Sequence, residues 1–306
     1  MTPTRIDLPS GSEIQTQFTL SDLTTFKVGG PAEWFVAPQS IEDLQVSYSW
    51  ATDHNISATL LGAGSNLLIS DQGLPGLIIS TRFLKHQEFD EQTGRIIVEA
   101  GKSLPKLAKQ AARKGWAGLE WAVGIPGTVG GAVVMNAGAH GGCTADNLIE
   151  AHVLNPDGTV EILPASALMY AYRSSILQQE DRRPLIRAVL QLQPGADPEV
   201  VQTTTQTHLS HRLNTQPYDW PSCGSVFRNP LPRSAGWLIE QTGLKGYQLG
   251  GAQVAQKHAN FILNCGHATA SDIFNLIRHV QHRVEQKWSL SLHPEVKMLG
   301  EFPQVA

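Results

Sequence analysis

The sequence predicts a fold that mixes helices with short strands, of the α/β or α+β kind, and two observations predict it. Segments with apolar residues at helical spacing alternate with short apolar runs that suit strands, throughout the chain. No internal repeat or low-complexity tract interrupts that alternation.

The elements follow in order. Ser40-Ile41-Glu42-Asp43 reads as a helix start, with Ile41, Leu44, Tyr48 and Ala51 on one face. A strand from Ala58 to Leu61 enters the turn Gly62-Ala63-Gly64-Ser65-Asn66, and Leu67 to Ile69 and Leu77 to Ser80 form two further strands. Arg95 to Glu99 is a strand. Ser103 then caps a helix that buries Leu104, Leu107, Ala108 and Ala111 and ends at Gly115. After a glycine-rich segment, Leu185 to Leu192 is another strand, and Gln193 to Pro198 marks a boundary, with Asp197 as N-cap and Pro198 at the first helical position. A polar helix runs to about Arg212, and a second helix is capped by Ser234 and stops near Gly243. A third starts at Ser271 and buries Ile273, Leu276, Ile277, Val280 and Val284, and Leu290 to Leu299 is an extended tail. The expected divisions are an extension over 1–20, lobes over 21–80 and 81–195, a third domain over 196–292 and a C-terminal segment over 293–306.

The chain of 306 residues is long enough for two or three domains, and 41% hydrophobic with 16% charged residues is ordinary for a globular protein. A net charge of -4 argues against a nucleic-acid or anionic-membrane partner. Cys143, Cys223 and Cys265 lie far apart, which argues against a disulfide framework and a zinc site and suits a reducing compartment. Met1 to Leu20 lacks an apolar stretch after a basic start, and no apolar run spans a bilayer. Neither a signal peptide nor membrane insertion is expected.

Two glycine-containing motifs carry the chemistry. Gly62, Ala63, Gly64, Ser65 and Asn66 follow a strand and offer free backbone N–H groups, an arrangement that binds a pyrophosphate without a lysine. No third glycine and no long helix follow, so this is not the dinucleotide fingerprint, and by itself the motif reads as a tight turn. The second is longer. Gly118, Gly124, Gly127, Gly130, Gly131, Gly138, Gly141 and Gly142 are eight of the 28 glycines. From Gly124-Ile125-Pro126-Gly127-Thr128 to Asn136 and Gly138-Ala139, small residues alternate with apolar ones and almost no charge occurs. A planar, largely apolar ring fits against such a surface, with backbone amides, Thr128 and Asn136 reaching its polar edge. A buried helix–strand junction is the plainer alternative.

A set of ordered motifs resembles the UDP-N-acetylenolpyruvoylglucosamine reductases. They are Thr25 to Ala32, Leu61 to Asp71, Gly124 to Gly142, Tyr172-Arg173-Ser174-Ser175, Gly224-Ser225-Val226-Phe227-Arg228-Asn229-Pro230, Ala235 to Glu240 and His293-Pro294-Glu295-Val296. They cover the chain from about Ser21 to Gly300. The resemblance implies an α+β fold: a two-lobed FAD-binding domain of the vanillyl-alcohol-oxidase type (lobes 21–80 and 81–195) and an α+β substrate-binding domain over 196–292. It implies FAD bound non-covalently at Gly62 to Asn66 and at Gly124, Ile125, Pro126, Gly127, Thr128, Gly130, Gly131, Asn136, Gly138 and Ala139. The implied reaction is reduction by NADPH of UDP-N-acetylglucosamine enolpyruvate to UDP-N-acetylmuramate, by a cytoplasmic monomer that makes peptidoglycan precursors.

The family's catalytic residues fall on Arg173, Ser225 and Glu295, the last within 293–306. Taken singly, each has an ordinary reading as a surface charge, a turn cap or a solvated edge residue. Hydride addition to the enolpyruvyl group makes an enolate, which calls for a fixed cation, Arg173, and a proton donor, Ser225. Glu295 polarises the enol system or the hydroxyl. Tyr172, Arg228, Asn229, His258 and Asn260 are the implied substrate contacts, and Lys245 and Lys257 are further phosphate candidates without motif support. Arg228 stands where the family usually has lysine, and Thr24-Thr25-Phe26 replaces Asn-Thr-Phe. The short third lobe resembles the family's compact subtype. The rivals are another flavin oxidase of the same superfamily, often tethering FAD through His or Cys, and a nucleotide-sugar-binding protein without redox activity. Cys223 reads as packing.

Overall fold

The structure is a computed structural model that describes residues 5–178, 181 and 183–302. Its chain forms two compact units. The first takes the described residues up to Thr16 with Trp34–Ala63 and Gly76–Arg212, and the second takes Gln17–Glu33, Gly64–Pro75 and the described residues from Leu213.

The first unit holds an antiparallel sheet in the order Val160–Pro164, Leu148–Leu154, Leu185–Gln191, Arg95–Glu99, Gln87–Asp90. Helix α1 spans Ile41–Asp53, α2 Leu104–Arg113 and α3 Val129–Met135. Ile96 and Val98 from the sheet, Leu107 and Ala111 from α2, and Val129 and Val133 from α3 share one core. A second sheet runs in the order Arg5–Asp7, Glu13–Thr19, Pro31–Val36, Leu74–Ser80, Ala58–Leu61, with the last two strands parallel. Its core joins Val36, Leu77 and Ile79 to Leu44 and Ala51 of α1. This fold is α+β, as the sequence leads one to expect.

Several boundaries differ from the sequence reading. The strand expected from Leu77 starts at Leu74 and so includes the glycine at 76, whose φ is +81°; the pairing with Ala58–Leu61 itself begins at Leu77. Ser103 precedes α2 but makes no side-chain cap, while Gly115 at φ +68° does follow its end. Helix α4, Pro198–Thr215, runs three residues beyond Arg212, and Asp197 caps it by accepting from Glu199 N–H at 2.8 Å.

In the second unit, α5 (Ala235–Gln241) is capped by Ser234, and α6 spans Ala270–Trp288. Helix α6 starts one residue before Ser271, since Thr269 and Asp272 form a capping box. Asp71 adds a second cap by accepting from Ala270 N–H at 2.7 Å and Ser271 N–H at 2.8 Å. The stripe Ile273, Leu276, Ile277, Val280 and Val284 is fully buried against Phe26, Leu68 and Val226. Lys297–Leu299 pairs in parallel with Leu67–Ile69, and Gln248–Leu249, Ala252–Val254 and Ile262–Asn264 form a small antiparallel sheet. Among the described residues no helix is long and apolar enough to cross a membrane.

Candidate active site

The glycine-rich segment folds as α3 followed by a hairpin of Gly138–Ala139 with Gly142–Cys143. Thr128 is the N-cap, its Oγ1 accepting from Gly131 N–H at 3.3 Å, and Asn136 ends the helix in the left-handed region at φ +45°, which asparagine tolerates. Val129 N–H and Gly130 N–H donate to the Lys102 and Ala100 carbonyls, each at 2.8 Å, and so bind the segment to the turn before α2.

The glycines of α3 therefore differ in role. A Cβ on Gly130 would stand 2.9 Å from Ala100 Cβ, so internal packing already requires this glycine. Gly131 is exposed, and a Cβ there would meet only Thr128 Oγ1, at 3.7 Å. Gly124 is covered by the side chain of Arg212. A Cβ on Gly62 would lie 2.7 Å from Thr128 Oγ1, so the two motifs that the sequence keeps apart are neighbours in the first unit. Arg82 donates to the carbonyls of Gly62 at 3.2 Å and Ala63 at 3.3 Å. Gly62 and Gly131 both lie next to Thr128 Oγ1, and Gly131 leaves its side of α3 open.

Asn136 was expected to reach outward and does not. It is buried, its Nδ2 donates to Ala171 O at 3.1 Å, and its Oδ1 accepts from Ala145 N–H at 3.1 Å. Thr128 is likewise buried as a cap.

The end of α3 is closed by the segment that carries Tyr172 and Arg173. Carbonyls in the last helical turn lack intrahelical donors. Tyr170 Oη donates to Val133 O at 2.9 Å, and Ser175 Oγ and Gln178 Nε2 donate to Val134 O at 2.7 and 2.9 Å. Arg173 extends the series, with Nη2 on Gly138 O at 2.7 Å and Nη1 on Asn136 O at 3.4 Å. Its φ of +55° is uncommon for a side chain that is not glycine, asparagine or aspartate, and such positions concentrate at functional sites. The exposed Tyr172 ring lies 5.1 Å from the guanidinium carbon.

In the second unit, Ser225 and Glu295 come onto neighbouring extended segments. Phe227 and Pro294 form an antiparallel bridge, Glu295 N–H donates to Val226 O at 2.7 Å, and Arg228 N–H donates to His293 O at 2.9 Å. Asn66 joins them: its Nδ2 donates to Glu295 O at 3.2 Å, and its carbonyl accepts from Lys297 N–H at 2.9 Å. Ser225 is half-buried, follows Gly224 at φ +83°, and its hydroxyl bonds no other side chain or carbonyl among the described residues. Burial raises the Cys223 thiol pKa and the Glu295 carboxylate adds to it, which suits packing.

Asn260 fixes this arrangement. It is 4% exposed, its Oδ1 accepts from Phe227 N–H at 3.0 Å, and its Nδ2 donates to Phe227 O at 2.8 Å. Its backbone carbonyl also takes Val226 N–H at 2.8 Å. The amide expected to contact substrate is thus committed to the segment after Ser225. His258 Nδ1 faces Asn260 N–H at 3.2 Å, and burial lowers its pKa. Asn229 Oδ1 accepts from Ala235 N–H at 3.0 Å and helps cap α5. Lys245 pairs with Glu240 at 2.9 Å, and Lys257 donates to Leu213 O at 2.9 Å.

Sequence reasoning missed Lys297. Burial pushes its pKa down, and the neighbouring Arg228 cation lowers it further. Arg228 Nε is itself buried without a hydrogen-bond partner among the described residues. Two neighbouring cations suit a polyanionic ligand. Lys297 stands just after the His293-Pro294-Glu295-Val296 motif, and no pattern in the sequence singles it out.

Comparison with known proteins adds to the geometry. Residues 216–299 match the family model described as UDP-N-acetylenolpyruvoylglucosamine reductase, C-terminal domain, and residues 32–163 match that of the FAD binding domain. The chain is 67% identical to the UDP-N-acetylenolpyruvoylglucosamine reductase of Acaryochloris marina over 96% of this chain and 95% of the relative. It is 53% identical to that of Synechocystis, over 98% and 97%. The crystal structure of the Thermus caldophilus UDP-N-acetylenolpyruvylglucosamine reductase is similar with a TM-score of 0.80 and 34% identity, covering 98% of this chain and 100% of that one.

Proposed function

The chain belongs to the UDP-N-acetylenolpyruvoylglucosamine reductases, and on that premise we propose that it uses NADPH and FAD to reduce UDP-N-acetylglucosamine enolpyruvate to UDP-N-acetylmuramate for peptidoglycan synthesis. The observation that carries the reading is the pairing of the Ser225 and Glu295 segments through Val226 O and Asn66. It joins a proton donor, a carboxylate and part of the Gly62–Asn66 turn.

Bound FAD supplies the two-electron redox chemistry between NADPH and the enolpyruvyl double bond. Gly131, Gly62 and Ala63 provide the surface for it, while Thr128, Gly130 and Asn136 shape that surface from within. No side chain is assigned as a covalent tether. The first unit thus serves mainly as the flavin domain, and residues 196–292 as the substrate domain.

The protein's own groups handle charge and proton. Arg173 stabilises the negative charge that develops on the enolate, with its planar fork oriented in advance by the Asn136 and Gly138 carbonyls. Ser225 delivers its hydroxyl proton to the carbanion carbon. Glu295 polarises the site and draws the replacement proton toward Ser225. Arg228 and Lys297 hold anionic groups of the substrate, and Tyr172 and His258 contribute contacts. Asn229 and Asn260 act as positioning residues.

The protein acts as a cytoplasmic monomer in this reading. The test is direct. The purified protein should be yellow, release free FAD on denaturation, and oxidise NADPH only when the enolpyruvyl-UDP-sugar is present. A colourless protein that cannot be reconstituted with FAD would favour a nucleotide-sugar binder instead.

A further inference from the structure

We propose that Arg82 is a positioning residue that orients two peptide groups of the Gly62–Asn66 turn toward the pyrophosphate of the cofactor. The proposal rests on the flavin reading of that turn given above.

The strands Ala58–Leu61 and Leu74–Ser80 are parallel neighbours, with Leu61 opposite Ser80. They end side by side, so the turn that follows the first lies beside the short 3-10 turn Thr81–Phe83 that follows the second. Arg82, in that turn, donates Nε to Gly62 O at 3.2 Å and Nη2 to Ala63 O at 3.3 Å. A guanidinium has its donors in a fixed fork, so two successive carbonyls can be held in one orientation.

A trans peptide is planar, with its N–H pointing opposite to its C=O. Holding the carbonyls of Gly62 and Ala63 therefore turns the N–H groups of Ala63 and Gly64 away from Arg82. Neither N–H donates to another described residue. Gly64 follows at φ +63°, and its carbonyl is held by Thr25 N–H at 3.1 Å. Successive amides that converge from such a turn form an anion-binding concavity. The half-buried Arg82 cation behind them also favours negative charge in front, and burial lowers its pKa without neutralising it, since arginine stays protonated.

The sequence offers no reason to single out Arg82, which lies outside the ordered motifs of the glycine turn. An ordinary structural role, closing the turn, would use the same two hydrogen bonds. The roles separate by ligand, because FAD carries the pyrophosphate and riboflavin carries only the ring and its ribityl chain.

The experiment titrates apo-protein with FAD and with riboflavin by flavin fluorescence, for wild type, Arg82→Ala and Arg82→Lys, and records thermal melting of each apo-protein. Arg82→Ala is expected to weaken FAD binding by about 10- to 100-fold, the range for a lost charged hydrogen-bond donor. Riboflavin affinity and melting should be unchanged, and Arg82→Lys should recover part of the FAD affinity. Equal losses for both flavins, or undiminished FAD binding, would overturn the proposal. If Arg82→Ala does not fold, Arg82→Lys decides: a loss confined to FAD supports the role, and wild-type FAD affinity overturns it. A wild-type apo-protein that binds neither flavin would instead sink the flavin reading itself.

Discussion

Replacing Gly130 by alanine would place a Cβ 2.9 Å from Ala100 Cβ and 3.1 Å from Ala100 O, where Gly130 N–H already donates to that carbonyl at 2.8 Å. Both contacts are on backbone or a short side chain that cannot swing away. Overpacking of this kind costs about 1–3 kcal/mol. Alanine in a helix offsets up to about 1 kcal/mol of it. A net destabilisation of up to about 3 kcal/mol follows. Gly131, the next residue of α3, is the control. Its Cβ would meet only Thr128 Oγ1 at 3.7 Å, so Gly131→Ala should gain up to about 1 kcal/mol of helix stability. Its methyl would nevertheless stand on the open face assigned to the flavin. FAD affinity should fall at least about tenfold, equivalent to about 1.4 kcal/mol. The assay is thermal melting of the apo-proteins combined with FAD titration. Gly130→Ala should melt lower than wild type, and Gly131→Ala should melt at or above wild type while binding FAD more weakly. Unchanged FAD affinity in Gly131→Ala would remove this face of α3 from the cofactor site. A Gly130→Ala protein that melts like Gly131→Ala would refute the packing argument.

Three further outcomes follow from the site. Ser225→Ala should leave flavin bleaching by NADPH nearly unchanged and slow reoxidation by the enolpyruvyl-UDP-sugar by about 10²–10⁴, measured by stopped-flow absorbance. Equal slowing of both half-reactions would make Ser225 a structural or binding group. Arg173→Ala should lower turnover by about 10²–10³, with Arg173→Lys recovering only part because the planar fork is lost. Near-normal turnover in the alanine variant would remove Arg173 from the mechanism. Asn260→Ala should lower the melting temperature through a loss of about 1–3 kcal/mol, since it leaves buried Phe227 backbone groups unpaired. It should also lower kcat more than it raises substrate KM. A variant that only raises KM would return Asn260 to direct substrate contact.

The sequence by itself determined the local elements, because their signals lie within a few residues. Ser40 accepts from Asp43 N–H and Ser234 from Trp237 N–H, each three residues on. The buried stripe of α6 is a helical period that any core would satisfy in the same way. The glycine clustering and the ordered motifs that mark the family were legible for the same reason. Tertiary structure decided which groups face one another. Asn66 meets the Glu295 carbonyl across 229 positions, and Asp71 caps α6 across 199. Nothing near either residue in sequence specifies that partner. Three asparagines that look like ligand contacts, Asn136, Asn229 and Asn260, each bond the backbone, a use of the amide that only its surroundings decide. Gly130 and Gly131 are adjacent and chemically identical, yet the turn of α3 sends one against Ala100 and leaves the other open. Lys297 feels the Arg228 cation only through the fold, and Arg82 gains its hold on the glycine turn only because two parallel strands end side by side. Such meetings depend on the packing of distant segments, which no local pattern records.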